Sequence, residues 1–408
     1  MTKPRRRQAG EGGISQYDTK AGPRYLIKYT IVNDDGSKKV VLRRRDKDGQ
    51  PFLDRKAAAA ALGDINAEIR KGSHVVSNKV TVGEYLAEWL DGLRKEPSTV
   101  SSYRKNVRLH LTPHIGALRL EQLTGTRLTK LYRQLETSGR VDGQGGLSPR
   151  TVRYVHTIVH SALGAAVRTG LLARNPADKA DPPSAKSAAS PEMRYWSAEE
   201  LRGFLDWSAA RDDELHVAWL LLAMTGMRRG EALSLRWSDV DWNAGRVSVQ
   251  RALSLIRNKG EGEQLLIGPP KAGRPRVVDL DPGTVAALKA HRAARGAIAL
   301  SLARDDAYVL GNLDGSPRHP ERFSRSFTTC VAAARRDRGE DTLPAIRLHD
   351  VRHTHASLLL RAGTPVKVVS ERLGHANPTI TLGTYAHVMP GMQREAADRF
   401  AALLQGGA

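Results

Sequence analysis

Four short polar clusters in the second half of the chain carry residue types that can handle an anion. Thr225-Gly226-Met227-Arg228-Arg229-Gly230-Glu231 follows the apolar run Val217 to Met224, so two arginines fall at a break between helices. Forked guanidinium donors suit an oxyanion there, and Glu231 could hold one of them in place. Read alone, the heptapeptide fits a surface salt bridge better. His349-Asp350-Val351-Arg352-His353-Thr354-His355 leads into an apolar run. On a helix His349 and Arg352 share a face at i, i+3, and His353 lies at i+4 from His349. Three readings stay open: a zinc pair with His355 as third nitrogen, a phosphate-binding set, or a structural role. The glutamate of the helical zinc-protease motif is missing, and Arg352 would repel a divalent cation. Leu373-Gly374-His375-Ala376-Asn377-Pro378 stands ten residues ahead of Tyr385. Pro269-Pro270-Lys271-Ala272-Gly273-Arg274 reads as a turn between a strand ending near Ile267 and one beginning near Arg276, where a lysine is ordinarily solvated.

In this order the clusters resemble the tyrosine recombinase (phage integrase) family. T-G-M-R-R-G-E matches its first arginine, P-P-K-A-G-R-P-R its hairpin lysine, and L-H-D-V-R-H-T-H its H-x-x-R pair. L-G-H matches its second histidine and T-Y-A-H-V its nucleophile. The resemblance spans about residue 195 to the end and is weaker for the region before it. It implies that Tyr385 attacks the scissile phosphate, forms a 3′-phosphotyrosine link and releases a 5′-hydroxyl. It further implies that Arg228 and Arg352 grip the non-bridging oxygens, and that Lys271 is the general acid toward the leaving oxygen. His349 assists as acid/base, His375 donates a hydrogen bond to the phosphate, and Glu231 braces the site. Arg274 is a rival to Lys271, set aside because arginine almost never releases a proton. Fixed guanidinium donors stabilise charge developing around phosphorus without a metal, and a covalent link conserves bond energy. The set therefore implies no cofactor, in keeping with the absence of a G-x-x-x-x-G-K-[ST] loop from the sequence.

The elements that must position these residues can be read from periodicity. Residues 1–75 form a small basic unit. Tyr25, Ile27, Tyr29 and Ile31 alternate with Arg24, Leu26, Lys28 and Thr30, and Asn33-Asp34-Asp35-Gly36 is a turn signal. A second strand runs from Lys39 to Arg45. Asp54 caps a helix with Ala58, Ala61, Leu62, Ile65 and Ile69 on one face. Three strands on a helix can present Arg24, Lys28 and Arg43 to a DNA groove. Residues 79–176 read as four helices: a capping box at Thr81 and Glu84 opens the first, Pro113 and Gly116 end the second, and the third begins near Thr126. Ser148-Pro149 opens the fourth. Arg104, Lys105 and Arg108 on the second suit phosphate contacts. Residues 177–193, with three prolines and no apolar period, are expected to be a linker. Ser197 and Glu200 open a mostly helical catalytic domain, 194–408, with one β patch from about Arg246 to Leu280. Met392, Ala396, Phe400 and Leu403 share a face of a final helix. The fold class is thus α+β and multidomain.

The chain has 408 residues and a formal charge of +21, from 64 basic and 43 acidic side chains. That excess favours an anionic polymer as partner, and nucleic acid first. Hydrophobic content of 40% supports real cores, and the single cysteine, Cys330, excludes a disulfide framework. No apolar run approaches the roughly 20 residues that span a bilayer, and the basic start lacks a signal-peptide core, so the expectation is a soluble, cytosolic protein, which the resemblance further implies to be bacterial and nucleoid-associated. Within the resemblance, the extra N-terminal unit resembles the arm-binding domain of integrases from phages and integrative elements. The partners implied are double-stranded DNA at core and arm attachment sites, further copies in a homotetramer docked through the final helix, an excisionase and a DNA-bending host protein. A type IB topoisomerase would share the chemistry without site choice. A silent DNA-binding regulator would have no use for the intact set Arg228, Lys271, His349, Arg352, His375 and Tyr385.

Overall fold

Period-two alternation near the start of the chain becomes a sheet. The computed structural model describes residues 12–32, 37–46, 49–70, 79–189, 193–260, 262–271, 274–385 and 392–404. Strands β1 (Gly13–Thr19), β2 (Gly22–Val32) and β3 (Lys38–Arg43) pair antiparallel in that order, with Tyr17 opposite Arg24 and Ile27 opposite Arg43. The expected turn at Asn33-Asp34-Asp35-Gly36 lies outside the described residues. Ile27, Tyr29 and Ile31 bury against Ala58, Leu62 and Ile65 of helix α1 (Arg55–Arg70). Asp54 Oδ1 accepts the Ala57 N–H at 2.7 Å, capping that helix. Lys28 is exposed; Arg24 and Arg43 are half-buried and donate to the carbonyls of Pro23 and Arg45.

Helices α2 (Val82–Asp91), α3 (Pro97–Asn106), α4 (Thr112–Ile115), α5 (Gly125–Ser138) and α6 (Pro149–Arg168) share a second core, with Leu86, Leu111, Leu128, Tyr132, Val155 and Leu163 fully enclosed. Thr81 and Glu84 close the capping box of α2, and Ser148 Oγ accepts the Thr151 N–H ahead of Pro149. Pro113 does not end a helix, as its sequence suggested. After α3 the chain widens by one turn, the Thr112 N–H reaching Val107 O, and Pro113 falls in the first turn of α4, where a missing N–H costs nothing. Gly116 alone terminates it. Arg104, Lys105 and Arg108 are exposed, Arg104 in an ion pair of 2.8 Å with Asp91.

The segment expected to be a linker is held over its first half. Asp181 accepts from Arg133 at 2.7 Å, its N–H donates to Thr129, and Pro183 O accepts from Arg153. Packing accordingly divides the chain into one unit of Met1–Arg94 with Tyr103–Ala189, and another of Lys95–Ser102 with Ser190–Ala408. In the second, the Trp196 N–H donates to Thr354 and its indole to Pro344 O, tying the start of the unit to its interior. Helices α7 (Ala198–Ala210), α8 (His216–Thr225) and α9 (Arg229–Leu233) precede the β patch. That patch is two sheets rather than one. Strands β4 (Val240–Asp241), β5 (Arg246–Val249) and β8 (Arg276–Asp279) pair as β4-β5-β8, and β6 (Ala252–Asn258) and β7 (Gly262–Gly268) form a separate hairpin inserted between β5 and β8. Gly230 of α9 lies against that hairpin, where an added Cβ would stand 2.5 Å from Leu253 O. Helices α10 (Pro282–Ile298), α11 (Pro320–Arg338), α12 (Leu348–Arg361), α13 (Val366–Leu373), α14 (Pro378–Tyr385) and α15 (Met392–Leu404) complete the unit. Trp196, Phe204, Trp219, Phe323 and Phe327 form its aromatic centre, with Trp219 and Phe323 ring centroids 5.0 Å apart. Phe400 and Leu403 of α15 are exposed, while the side chains of Met392 and Ala396 fall outside the description.

Candidate active site

Two helix ends in the left-handed conformation aim the first residues of the site. Helix α8 stops at Gly226, φ +62°, and α13 at Gly374, φ +66°, conformations that a Cβ would strain. Both glycines are also crowded. An added Cβ would stand 2.7 Å from the His355 ring at Gly226, and 2.8 Å from the Arg276 guanidinium at Gly374. The first turn delivers Arg228 to the N-terminus of α9; the second delivers His375.

Glu231 is the hub of the first cluster. It is 2% exposed and accepts the Arg228 N–H at 2.8 Å, the Arg228 Nη1 at 2.9 Å and two donors of Arg276, at 2.7 and 3.1 Å. Burial pushes its pKa up, but Arg276 and then Arg228 outweigh that and hold it below the usual glutamate value. One buried carboxylate therefore serves two guanidiniums and leaves the pair with net positive charge. Arg276 also donates its Nε to Arg372 O at 2.9 Å, linking β8 to the last turn of α13.

Helix α12 supplies the second cluster. Asp350 accepts the Arg347 N–H at 2.8 Å and fixes the helix start. Arg352, only 4% exposed, donates to Gly226 O and Leu373 O, both at 2.8 Å, so it bridges the two glycine turns. Burial first, then Arg228, pull its pKa down to about 9, with Glu231 and Tyr385 opposing, and the guanidinium stays protonated at neutral pH. His355 Nδ1 bonds Ala223 O and its Nε2 accepts from Arg372, so both nitrogens of the third residue in the zinc reading are engaged.

Tyr385 closes the site from α14. It is 1% exposed, its ring packed among Ala356, Leu360, Val369 and Leu373, and its Oη lies 2.8 Å from His353 Nδ1. Burial pushes the phenol up to about 12, while Arg352 and Arg228 pull the other way. His353 and His375 are both drawn down to about 4, first by burial, then by His349 for one and by Arg352 and Arg228 for the other. His375 is pinned by a 2.8 Å bond between its Nδ1 and Thr381 Oγ1. His349 is more exposed and is drawn below its usual value by desolvation, then by Arg352. It meets His353 edge-on, centroids 5.0 Å apart.

The fold thus brings together Arg228, Glu231, His349, Arg352, His375 and Tyr385 from α9, α12, the α13–α14 turn and α14. It does not bring in Lys271 or Arg274: both are exposed between β7 and β8, with no side-chain hydrogen bond or ion pair among the described residues. Two members escaped the sequence reading. Arg276 had a legible signal: it shares a strand face with Val278, which is buried, whereas Val277 is exposed, and an inward arginine needs a carboxylate. The partnership of His353 with Tyr385 joins residues 32 positions apart and left no local trace. Among the described residues no cluster of His, Cys, Asp or Glu could hold a metal. Arginines whose charge is only partly neutralised by Glu231, gathered in one cluster with a buried phenol, suit an anion.

Known proteins resemble this chain in sequence and in fold. Residues 196–391 match the phage integrase family. The tyrosine recombinase XerC-like protein of Caldanaerobacter subterraneus subsp. tengcongensis is 25% identical over 92% of this chain and 95% of its own length. The ICEBs1 integrase of Bacillus subtilis is 25% identical over 84% of this chain and 87% of its own. Among solved structures, the Tn1549 transposon integrase in complex with transposon right end DNA superimposes with a TM-score of 0.64 at 21% identity, covering 79% of this chain and all of that one.

Proposed function

The chain belongs to the phage integrase family of tyrosine recombinases, DNA breaking and rejoining enzymes, and from that premise we propose that it is the site-specific integrase of a phage or mobile element. In this reading Tyr385 attacks the scissile phosphate, forming a 3′-phosphotyrosine link and freeing a 5′-hydroxyl. What supports it is that Arg352 donates to both glycine turns that lead to Arg228 and His375, while His353 beside it on α12 bonds the Tyr385 hydroxyl, and Glu231 neutralises only part of the arginine charge. Preorganised donors of this kind stabilise the phosphorane-like transition state and cost no reorganisation when it forms. His375, held by Thr381, turns its other ring nitrogen free for a phosphate oxygen. Lys271 enters from its exposed loop as general acid once DNA is bound. The second strand then needs only its own 5′-hydroxyl, so no nucleotide cofactor takes part.

Exchange between two duplexes calls for four cleavages, hence a homotetramer, and the exposed Phe400 and Leu403 on α15 suit a contact with a neighbouring copy. The sheet β1–β3 with α1 would bind arm sites and the bundle α2–α6 core sites, with Lys28, Arg24 and Arg43 on one and Arg104, Lys105 and Arg108 on the other. Excision would use an excisionase and a DNA-bending host protein, in a bacterial cytosol. The test mixes wild type and Tyr385→Phe with plasmid DNA carrying the sequence that flanks the coding region. Wild type alone should yield a protein–DNA adduct that survives detergent and disappears with protease. An adduct with Tyr385→Phe, or DNA binding by wild type with no adduct even on a nicked duplex, overturns the assignment.

A further inference from the structure

We infer that His353, rather than His349, is the catalytic residue that takes the phenolic proton from Tyr385; the inference rests on the recombinase reading above and names its base. The argument is geometric. His353 Nδ1 is 2.8 Å from Tyr385 Oη, within the reach a general base needs, and it stands on the same helix as Arg352. His349, one turn earlier, makes no side-chain hydrogen bond among the described residues and touches His353 only edge-on. No other side chain among the described residues bonds the Tyr385 hydroxyl, so the phenolic proton has one acceptor. Asp350, the nearest carboxylate on α12, is already committed to Arg347.

Electrostatics explain why the pair rests neutral and when it would fire. The groups facing His353 are His349, Asp350, Arg352 and Arg347 from α12, His375 from the α13–α14 turn and Tyr385 from α14. Burial first, then His349 and the arginines against the pull of Asp350, keep the imidazole unprotonated, so one ring nitrogen is open as an acceptor at neutral pH. Burial keeps the phenol protonated. A phosphodiester held by Arg228 and Arg352 adds the negative charge that this surround lacks, which favours imidazolium over imidazole. The Oη–H bond then breaks and an Nδ1–H bond forms. The freed oxygen pair makes the Oη–P bond, the P–O5′ bond breaks, and O5′ takes a proton from Lys271. On rejoining, the His353 proton returns to the departing phenolate. A tyrosine that loses its proton only when a diester is in place is protected from idle reaction.

Two measurements test this. The first needs no DNA: nitrogen-detected NMR of 15N-histidine-labelled protein, with the His353 signal assigned by its loss in His353→Asn. The expected tautomer is Nε2–H with unprotonated Nδ1, and Tyr385→Phe should shift the Nδ1 resonance. A protonated Nδ1 in wild type would overturn the inference, because a donor to Oη cannot be its base. The second is single-turnover adduct formation on a nicked duplex carrying the site mapped above. His353→Asn, which keeps a hydrogen-bonding atom near Oη but cannot take a proton, should react on the order of 10²-fold more slowly at neutral pH, its rate climbing steadily toward alkaline pH, whereas His349→Asn should lose less than about tenfold and keep the wild-type profile. His353→Asn cleaving within about threefold of wild type with an unchanged profile, or His349→Asn taking the larger loss, overturns it. Failure of wild type itself to form an adduct defeats the recombinase reading, and is told apart because it does not depend on residue 353.

Discussion

Glu231 shows how much a single side chain can decide. One buried carboxylate holds Arg228 and Arg276, and its removal would strand two guanidiniums in a site nearly closed to water. Breaking a buried ion pair from one side typically costs about 3–5 kcal/mol. Glu231→Gln should therefore lower the melting temperature of the second unit by several degrees and slow adduct formation, both read on the same preparation. Because the folded pKa of Glu231 lies below its unfolded value, its contribution is present above the unfolded carboxylate range, about pH 4.3, and is lost as pH falls through the depressed folded value. Urea unfolding of wild type should steepen its loss below that range, and Glu231→Gln should lack that part of the loss. At this scale the sequence was largely readable: Arg228 and Glu231 are three apart on one short helix, and so are His349 and Arg352. Arg276 and His353 were not assigned their roles, since their partners lie on other elements.

Among the elements, the turns at Gly226 and Gly374 position more chemistry than any helix core. Gly374→Ala forces a Cβ into a left-handed conformation and against the Arg276 guanidinium. The backbone cost alone is about 1 kcal/mol, and displacement of His375 should slow adduct formation while DNA affinity holds, a split seen by pairing filter binding with the covalent assay. Ser148→Ala offers a contrast. Losing the cap of α6 should cost about 1 kcal/mol of stability with no change in the chemical step, checked by thermal unfolding beside the same assay. Caps and apolar stripes were legible because their partners sit within one turn. The passage of the helix through Pro113 was not, since proline reads alike whether it ends one helix or starts another.

Across the molecule, charge and protonation set the working conditions. With a formal charge of +21, DNA affinity should fall steeply with salt. Replacing Arg104, Lys105 and Arg108 by alanine together should reduce the magnitude of the slope of log affinity against log salt by roughly 2 to 3, measured by titration at several salt concentrations, if each neutralises one phosphate. Acid should act on the second unit. His353, His355 and His375 are neutral in the fold, with pKa values near 4, below the ordinary histidine value of about 6.5. Stability is then greatest above that value and declines as pH drops toward 4, since unfolding lets each ring take up a proton. Urea midpoints at pH 7.5, 5.5 and 4.5 should fall in that order.

The sequence by itself determined the chemistry available and the local frames that carry it: arginines at a helix break, a histidine and arginine one turn apart, a tyrosine in a terminal motif, and the caps at Thr81, Ser148 and Ser197. Those features depend on residues three or four apart, whose geometry is set by backbone periodicity alone. Only the tertiary structure decided which groups meet. Arg276 reaches Glu231 across 45 residues, Arg352 reaches Gly226 O across 126, and the Tyr385 hydroxyl pairs with His353 rather than His349. Such meetings follow from how α8, α12, α13 and β8 pack around a shared core. That packing is fixed by burial summed over dozens of side chains, so no single motif could announce it.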